Sequence, residues 1–400
     1  MTEPLPDPVF MPLARTTRLD PPPELAMLRA ERPISRMRFP DGHVGWLVTS
    51  HTLARKVLAD RRFSSRNQYR RPVIRLPIVN KAGLRPMLPG AFIAMDPPDH
   101  TRFRRLLGAQ FSERRMRRLE SWIAGVVDER LDAMARSGGP VDLVRTFALP
   151  IPSLVICELL GVPYADRDKF QYYSEMLVRL DARPEDAEAA RVAFLDFLVA
   201  LVRHKRERLA DDLISGLVST GELTEEEIAG VAFLLLFAGH ETTANMIAIG
   251  VFTLLSNPRQ LAALRADTSL ADGAIEELLR YLSVVQLGTV RGALVDVVVG
   301  GHTIRAGESV CVSLPAANRD PDRFADPDTL DITRDTTGHL AFGHGVHRCL
   351  GQPLARIEMR IGYTALLRRF PGLRLAVDPA EVRMRTDRII YGVHELPVTW

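Results

Sequence analysis

Three cysteines occur in the 400-residue chain, Cys157, Cys311 and Cys349, and only the last stands where a thiol could do chemistry. Cys349 lies near the end of the run Phe342-Gly343-His344-Gly345-Val346-His347-Arg348-Cys349-Leu350-Gly351. Glycines at 343, 345 and 351 allow unusual backbone angles and a close approach to a flat partner. A thiolate presented by such a turn binds iron well, and when it sits opposite oxygen it pushes electron density towards O–O cleavage. Backbone N–H groups of the turn can hydrogen-bond the sulfur and tune it. Phe342 is placed to pack beside a haem ring and His347 to reach a propionate. A buried structural cysteine is the plain alternative. Zinc is another, because His339, His344, His347 and Cys349 lie close together, but their spacing matches none of the usual paired Cys/His layouts.

A second cluster is Ala238-Gly239-His240-Glu241-Thr242-Thr243. It begins like a zinc-protease HExxH, yet position 244 is Ala, so the second ligand is missing. What remains is an acid beside two alcohols: Glu241 can relay protons and Thr242 can hydrogen-bond iron-bound dioxygen. A Thr242-Thr243 pair on its own would more often bond back to its own helix. His100 and Arg104 follow the helix-start signal Asp96-Pro97-Pro98. Four residues apart, they point the same way and could meet one propionate.

These residues resemble the cytochrome P450 family. The cysteine run matches Phe-Gly-x-Gly-x-His-x-Cys-x-Gly at every fixed position, and residues 238–243 match Ala/Gly-Gly-x-Asp/Glu-Thr-Thr. The resemblance extends from about residue 20 to the C-terminus, with four motifs in the family's order. It implies a mainly α protein with small β sheets, the cytochrome P450 fold, as a single domain over 20–400 with 1–19 as an N-terminal extension. Haem b would be held by Cys349 as the metal ligand, with Phe342, Gly343, His347, Gly351, His100 and Arg104 around it. Arg291 resembles the family's propionate arginine, and with His100, Arg104 and His347 it describes a dianionic cofactor. The implied reaction is insertion of one oxygen atom from O2 into an organic substrate, by hydroxylation or epoxidation, with Glu241, Thr242 and Thr243 as catalytic candidates. Electrons would come from a separate ferredoxin or flavodoxin with its reductase, since no flavin or iron–sulfur region is present.

The same resemblance implies a buried network of Glu277 and Arg280 with a later arginine, Arg334 or alternatively Arg323. The family's proline before Ala306-Gly307 is replaced by Arg305, a departure expected to alter a turn only. Substrate contacts are expected from residues 63–94, from Leu235 and Ala238, from Val285 to Thr289, and from Ile389, Ile390 and Tyr391. Arg70, Arg71, Arg75 and Arg85 hint at a polar or anionic substrate group. The short form is similar to actinobacterial enzymes that tailor polyketides, macrolides, terpenes or peptides, so a secondary metabolite is expected. The rival is a haem-thiolate sensor or carrier, which would have no use for the acid–alcohol pair.

The elements that must position these residues are mostly helical. Apolar residues at three- and four-residue spacing predict helices over 99–118, 120–137, 142–160, 164–181, 185–210, 224–255, 258–266, 270–282 and 352–370. Residues 44–48 read as a strand and 294–314 as a small β region. Hydrophobic residues make up 46% and charged residues 25%, as in ordinary globular proteins. A net charge of +3 gives no argument for nucleic acid. Residues 229–255 are long and apolar enough to span a bilayer, but a carboxylate at their centre would be costly there, so a buried core helix is expected and no membrane. Sparse cysteines and the absence of a secretory pattern point to the cytoplasm. Arginines 102, 104, 105, 114, 115, 117 and 118, with 348, 356 and 360, read as a basic face for an acidic redox partner.

Overall fold

The protein is described from a computed structural model over residues 7–74, 88–178 and 183–400. Helices dominate it, and the longest, Glu225–Leu255, runs through the main core. Its start is set by a full capping box: Thr224 accepts from the Glu227 backbone N–H and Glu227 returns the bond to Thr224. Glu225, Glu226 and Glu227 crowd the first turn, where the helix dipole favours negative charge. Beyond that turn the helix is apolar almost all round, because it is packed from several sides. Of its most apolar window, 72% is buried inside the protein, which is how a core helix meets the length and composition of a membrane span.

The helices Pro150–Leu160, Pro184–Glu207 and Gln352–Arg369 pack on this central helix. The last comes closest where Tyr363 Oη donates to Met246 O at 2.6 Å. Gly250 makes that possible, since a Cβ there would lie 2.0 Å from the Tyr363 oxygen.

A five-stranded sheet sits beside the helices in the order Ile34–Arg38, Val44–Val48, Ser309–Val312, Thr289–Ala293, Phe63–Ser64. All pairs are antiparallel except Val44–Val48 with Ser309–Val312. Residues 7–19 lie against this body: Val9 bridges Met37, Met11 joins a buried cluster, and Arg18 donates to Ala380 O.

The expected helix over 99–118 divides. One helix ends at Gln110 and the next starts at Glu113, because Ser112 takes an extended conformation that apolar spacing does not register. The 142–160 helix likewise opens with a π-helical turn, Val144–Ala148, before Pro150 starts the α-helix. Short helices at Pro23–Glu31, His51–Ala59 and Leu213–Thr220 were not expected, each offering only two or three turns of periodicity.

Helix Ala271–Leu282 carries a fully buried ion pair. Arg280 Nε and Nη2 donate to the two oxygens of Glu277 at 2.7 and 2.9 Å, while Nη1 donates to Asn318 O and Pro327 O. Arg334 joins through Nε to Glu277 Oε1 at 3.3 Å and caps carbonyls of 325, 326 and 329. Arg323 instead bonds Thr337 O and stacks on Phe324. A buried ion pair offsets its desolvation only when its remaining donors are satisfied, as they are here. Replacing Glu277 with Ala leaves the Arg280 charge uncompensated and should cost about 3–5 kcal/mol. Guanidinium unfolding will test this; a loss below about 1 kcal/mol would match a solvated surface pair instead.

Candidate active site

The cysteine loop is built by two glycines in left-handed conformations, Gly343 (φ 69°) and Gly345 (φ 74°). Gly345 is also squeezed, because a Cβ there would lie 2.5 Å from Leu58 O. Gly343 N donates to Leu340 O and Cys349 N to Phe342 O, which folds the loop back on itself. Cys349 lies deep among its neighbours yet keeps exposed surface. Burial pushes the thiol pKa up, while the N–H groups of Gly351 and Gln352 and the charges of Arg104 and Arg356 pull it down. Gly351 is the N-cap of helix Gln352–Arg369, so the sulfur sits at a helix N-terminus, where a thiolate is favoured.

Phe342 is held from both sides. Arg356 lies over its ring at 4.6 Å and the His339 ring is 6.1 Å away. Glu276 ties the two together, accepting from Arg356 Nε at 2.6 Å and lying 2.9 Å from His339 Nε2. Burial works to raise the Glu276 pKa, but the bonds from Arg356 and His339 outweigh it and hold the group at about 2.

A cluster of cations and imidazoles flanks the loop. The His100 and His347 rings are 4.1 Å apart. Burial, then Arg104, lowers the His100 pKa to about 4; burial, then Arg291 and its neighbours, lowers His347 to about 3. Burial, then Arg70, lowers buried Arg291 to about 10. His100 Nε2 is buried without a hydrogen-bond partner. So much desolvated positive potential, with Asp96 as the one acid acting on His100 and Arg291, suits an anionic ligand. Arg104 is sensed by both His100 and the Cys349 sulfur. Arg70, read in the sequence as a hint of substrate charge, belongs to this cluster, although it also bonds Asn67. Arg71 is paired with Asp41, and Arg75 and Arg85 lie outside the described residues.

On the central helix, Ala238 is exposed and Thr242 partly so, one turn apart, in a stretch otherwise largely buried. Leu235 is buried in the main core. Thr242 Oγ1 donates to Ala238 O at 2.8 Å and Thr243 Oγ1 to Gly239 O at 3.1 Å. Glu241 is buried, bonded by Asn245 Nδ2 at 3.0 Å and by Arg385 Nη1 at 3.1 Å. Val285 and Ile390 meet in an antiparallel bridge, with Ile389 and Thr289 half-buried nearby in the chain. Asn245 was not singled out in the sequence, although its place four residues after Glu241 is a signal that could have found it. Arg385 and Glu276 carried no local signal.

These features fit a flat dianionic macrocycle carrying iron. Cys349 keeps exposed surface, a Cβ at Gly343 or Gly351 would meet no atom within 4 Å beyond its chain neighbours, and a partnerless imidazole nitrogen lies in the cationic cluster. Zinc does not fit: among the described residues no group of three or more His, Cys, Asp or Glu could hold a metal ion.

The arginine-rich stretch is not one bare face. Arg102 and Arg105 pair with Glu227 and Glu222, Arg118 with Asp211, Arg356 with Glu276 and Arg360 with Glu120. Arg348, next to the ligand, remains exposed.

The family model for cytochrome P450 matches residues 37–386. Cytochrome P450 105C1 of a Streptomyces species is 49% identical, over 98% of this chain and 99% of its own. Pentalenic acid synthase of Streptomyces avermitilis is 45% identical over the full length of both. The crystal structure of CYP105P1 in complex with filipin I superposes with a TM-score of 0.91 at 44% identity, covering 98% of this chain and 99% of that one. Sequence, fold and the thiolate loop agree that the chain belongs to the cytochrome P450 family and is a haem-thiolate monooxygenase.

Proposed function

We propose that this monooxygenase oxidises a bulky, mostly apolar secondary metabolite of the polyketide, macrolide or terpene kind, with electrons from a ferredoxin. The observation that carries the substrate class is the open Ala238–Thr242 strip on the central helix, together with the apolar pairing of Val285 and Ile390. Arg70 and Arg71, two of the four arginines that hinted at an anionic substrate group, are engaged elsewhere. Pentalenic acid synthase and the filipin I complex of CYP105P1, both relatives over nearly the whole chain, support the same class.

Haem, when bound, supplies oxygen binding and O–O cleavage. The chain's own residues do the rest. Cys349 would hold the iron through its sulfur, stabilised by the Gly351 and Gln352 N–H groups. His100, Arg104, Arg291 and His347, with Arg70 added, would hold the propionates, and Phe342, Gly343 and Gly351 would border the ring. Thr242 must turn its hydroxyl from the Ala238 carbonyl to serve as a donor. Thr243 keeps its bond to Gly239 O and shapes the helix. Glu241 takes a proton from water and passes it towards Thr242. Electron entry is read at exposed Arg348 and the neighbouring groove of about 610 Å³ that includes Phe111, Met116 and Arg117. An acidic ferredoxin there would compete for Arg356 and Arg360 with Glu276 and Glu120.

In the reduced, CO-treated protein the strongly red-shifted Soret band of a thiolate-bound haem is expected, and Cys349→Ala should abolish it. Retention of that band in Cys349→Ala would remove Cys349 as the ligand. Titration with macrolide and terpene panels should give the spectral shift that follows displacement of axial water; a response only to small charged compounds would overturn the substrate class. Thr242→Ala should lower product formed per NAD(P)H consumed by roughly tenfold or more with KM little changed. Unchanged coupling would take the proton-delivery role from Thr242.

A further inference from the structure

Among the described residues, the carboxylate of Glu241 is engaged from outside its own helix by one residue, Arg385. Arg385 Nη1 bridges two acceptors, Glu241 Oε2 at 3.1 Å and Asn245 Oδ1 at 3.2 Å, while Asn245 Nδ2 closes the triangle on Glu241 at 3.0 Å. The side chains are 13% and 7% exposed, so solvent contributes little to holding them. The geometry differs from that of Glu277 and Arg280, where two parallel bonds form a fork. Here Nη1 makes both of these bonds, and among the described residues Arg385 Nε is buried without a partner. Two-pronged pairs are the strong ones, so this contact is the more easily opened.

Arg385 also belongs to a hairpin that reaches the substrate side. Arg385 N donates to Gly392 O, His394 N to Arg383 O, and Met384 bridges Val393. The same hairpin carries Ile389 and Ile390 at its far end, where Ile390 bridges Val285 and Gln286 Nε2 donates to Arg388 O. It presses on the central helix: a Cβ at Gly392 would lie 2.0 Å from Asn245 Oδ1. A displacement at Ile390 therefore has a short covalent and hydrogen-bonded path to the group that holds Glu241.

We propose that Arg385 is a positioning residue that clamps Glu241 against Asn245, and that the hairpin joining it to Ile389 and Ile390 releases the acid when the substrate pocket fills. This rests on the proton-relay reading of Glu241 given above. The clamp keeps the acid from delivering protons in the empty enzyme, and filling the pocket frees it. No new reactant is needed, because the carboxylate regains from water each proton it gives.

The test uses substrate-free, haem-loaded protein with a ferredoxin and its reductase. Arg385→Gln should raise reductant consumption by roughly fivefold or more and change its D2O solvent isotope effect. Arg385→Lys, which keeps the charge, should stay close to wild type. Glu241→Gln should stay near wild type in this empty protein and lower consumption once a macrolide or terpene that gives the spectral shift is added; in the empty protein the double variant should match Glu241→Gln, because the rise needs the acid. Ile390→Gly, which touches neither partner, should move consumption in the direction of Arg385→Gln. Independently of turnover, amide hydrogen exchange across residues 383–394 should quicken to the same extent in Arg385→Gln and Glu241→Gln. Arg385→Gln with consumption and exchange unchanged in the empty protein, while Glu241→Gln lowers consumption in the compound-loaded protein, would overturn the clamp. Unchanged consumption in Glu241→Gln with that compound bound would instead sink the relay reading, and the exchange data would still decide whether the two side chains hold one another. An Arg385→Gln protein that fails to fold leaves the exchange comparison to Arg385→Lys and Glu241→Gln: quickening in Glu241→Gln alone supports the clamp, and no quickening refutes it.

Discussion

The buried carboxylate of Glu277 is the constraint on which the site depends. A charge with no exposed surface has to find every partner inside the protein, and it does so by gathering residues that lie far away in sequence. Arg280 and Arg334 supply the countercharge, and Asp331 N donates a further bond. Arg280 also bonds Asn318 O, and the Asn318 side chain accepts from Leu340 N at 2.6 Å. Leu340 O in turn receives Gly343 N, the first turn of the cysteine loop. The ion pair is therefore three hydrogen bonds from the ligand loop. Its neighbour Glu276 reaches the other side through Arg356 and His339 to Phe342. One short helix thus registers the loop from both sides.

This arrangement explains why some parts were legible in the sequence and others were not. The cysteine loop was readable because its function restricts the backbone: glycines are needed where φ is positive and where Leu58 O approaches. The central helix was readable because an apolar stretch of that length with polar residues midway has few uses. Glu277 with Arg280 was visible as a pair three residues apart, but nothing local distinguishes a buried pair from a solvated one. The choice of Arg334 over Arg323 lay in the fold of the loop between them. Helix boundaries such as the break at Ser112 depend on backbone angles that side-chain periodicity does not encode.

Charge was the least legible feature. Seven arginines between 102 and 118 look like a single basic surface when written as a line. Folding sends Arg102 and Arg105 towards the start of the central helix, where Glu222 and Glu227 meet them, and turns Arg104 inward towards His100 and the sulfur. Arg70 moves the opposite way, from a loop expected to meet substrate to a cluster with Arg291 and His347. A count of charges in a sequence carries no direction, and direction decides whether an arginine steers a partner, holds an anion or closes an ion pair.

The central helix reconciles two demands that usually conflict. Burial asks for apolar residues, whereas oxygen chemistry asks for an acid and an alcohol in its middle. Each polar group here is given a different solution. Thr243 bonds back to Gly239 O and needs nothing more. Thr242 does the same but keeps accessible surface, so its bond can be exchanged for another at little cost. Glu241 cannot be neutralised by its own helix: Asn245 gives it one hydrogen bond, but a buried carboxylate also needs a countercharge and the helix carries no lysine or arginine. Its partner has to come from elsewhere in the chain. The fold brings that partner in on the hairpin whose opposite end carries Ile389 and Ile390, so the need to neutralise a buried acid also ties proton supply to the substrate side of the pocket.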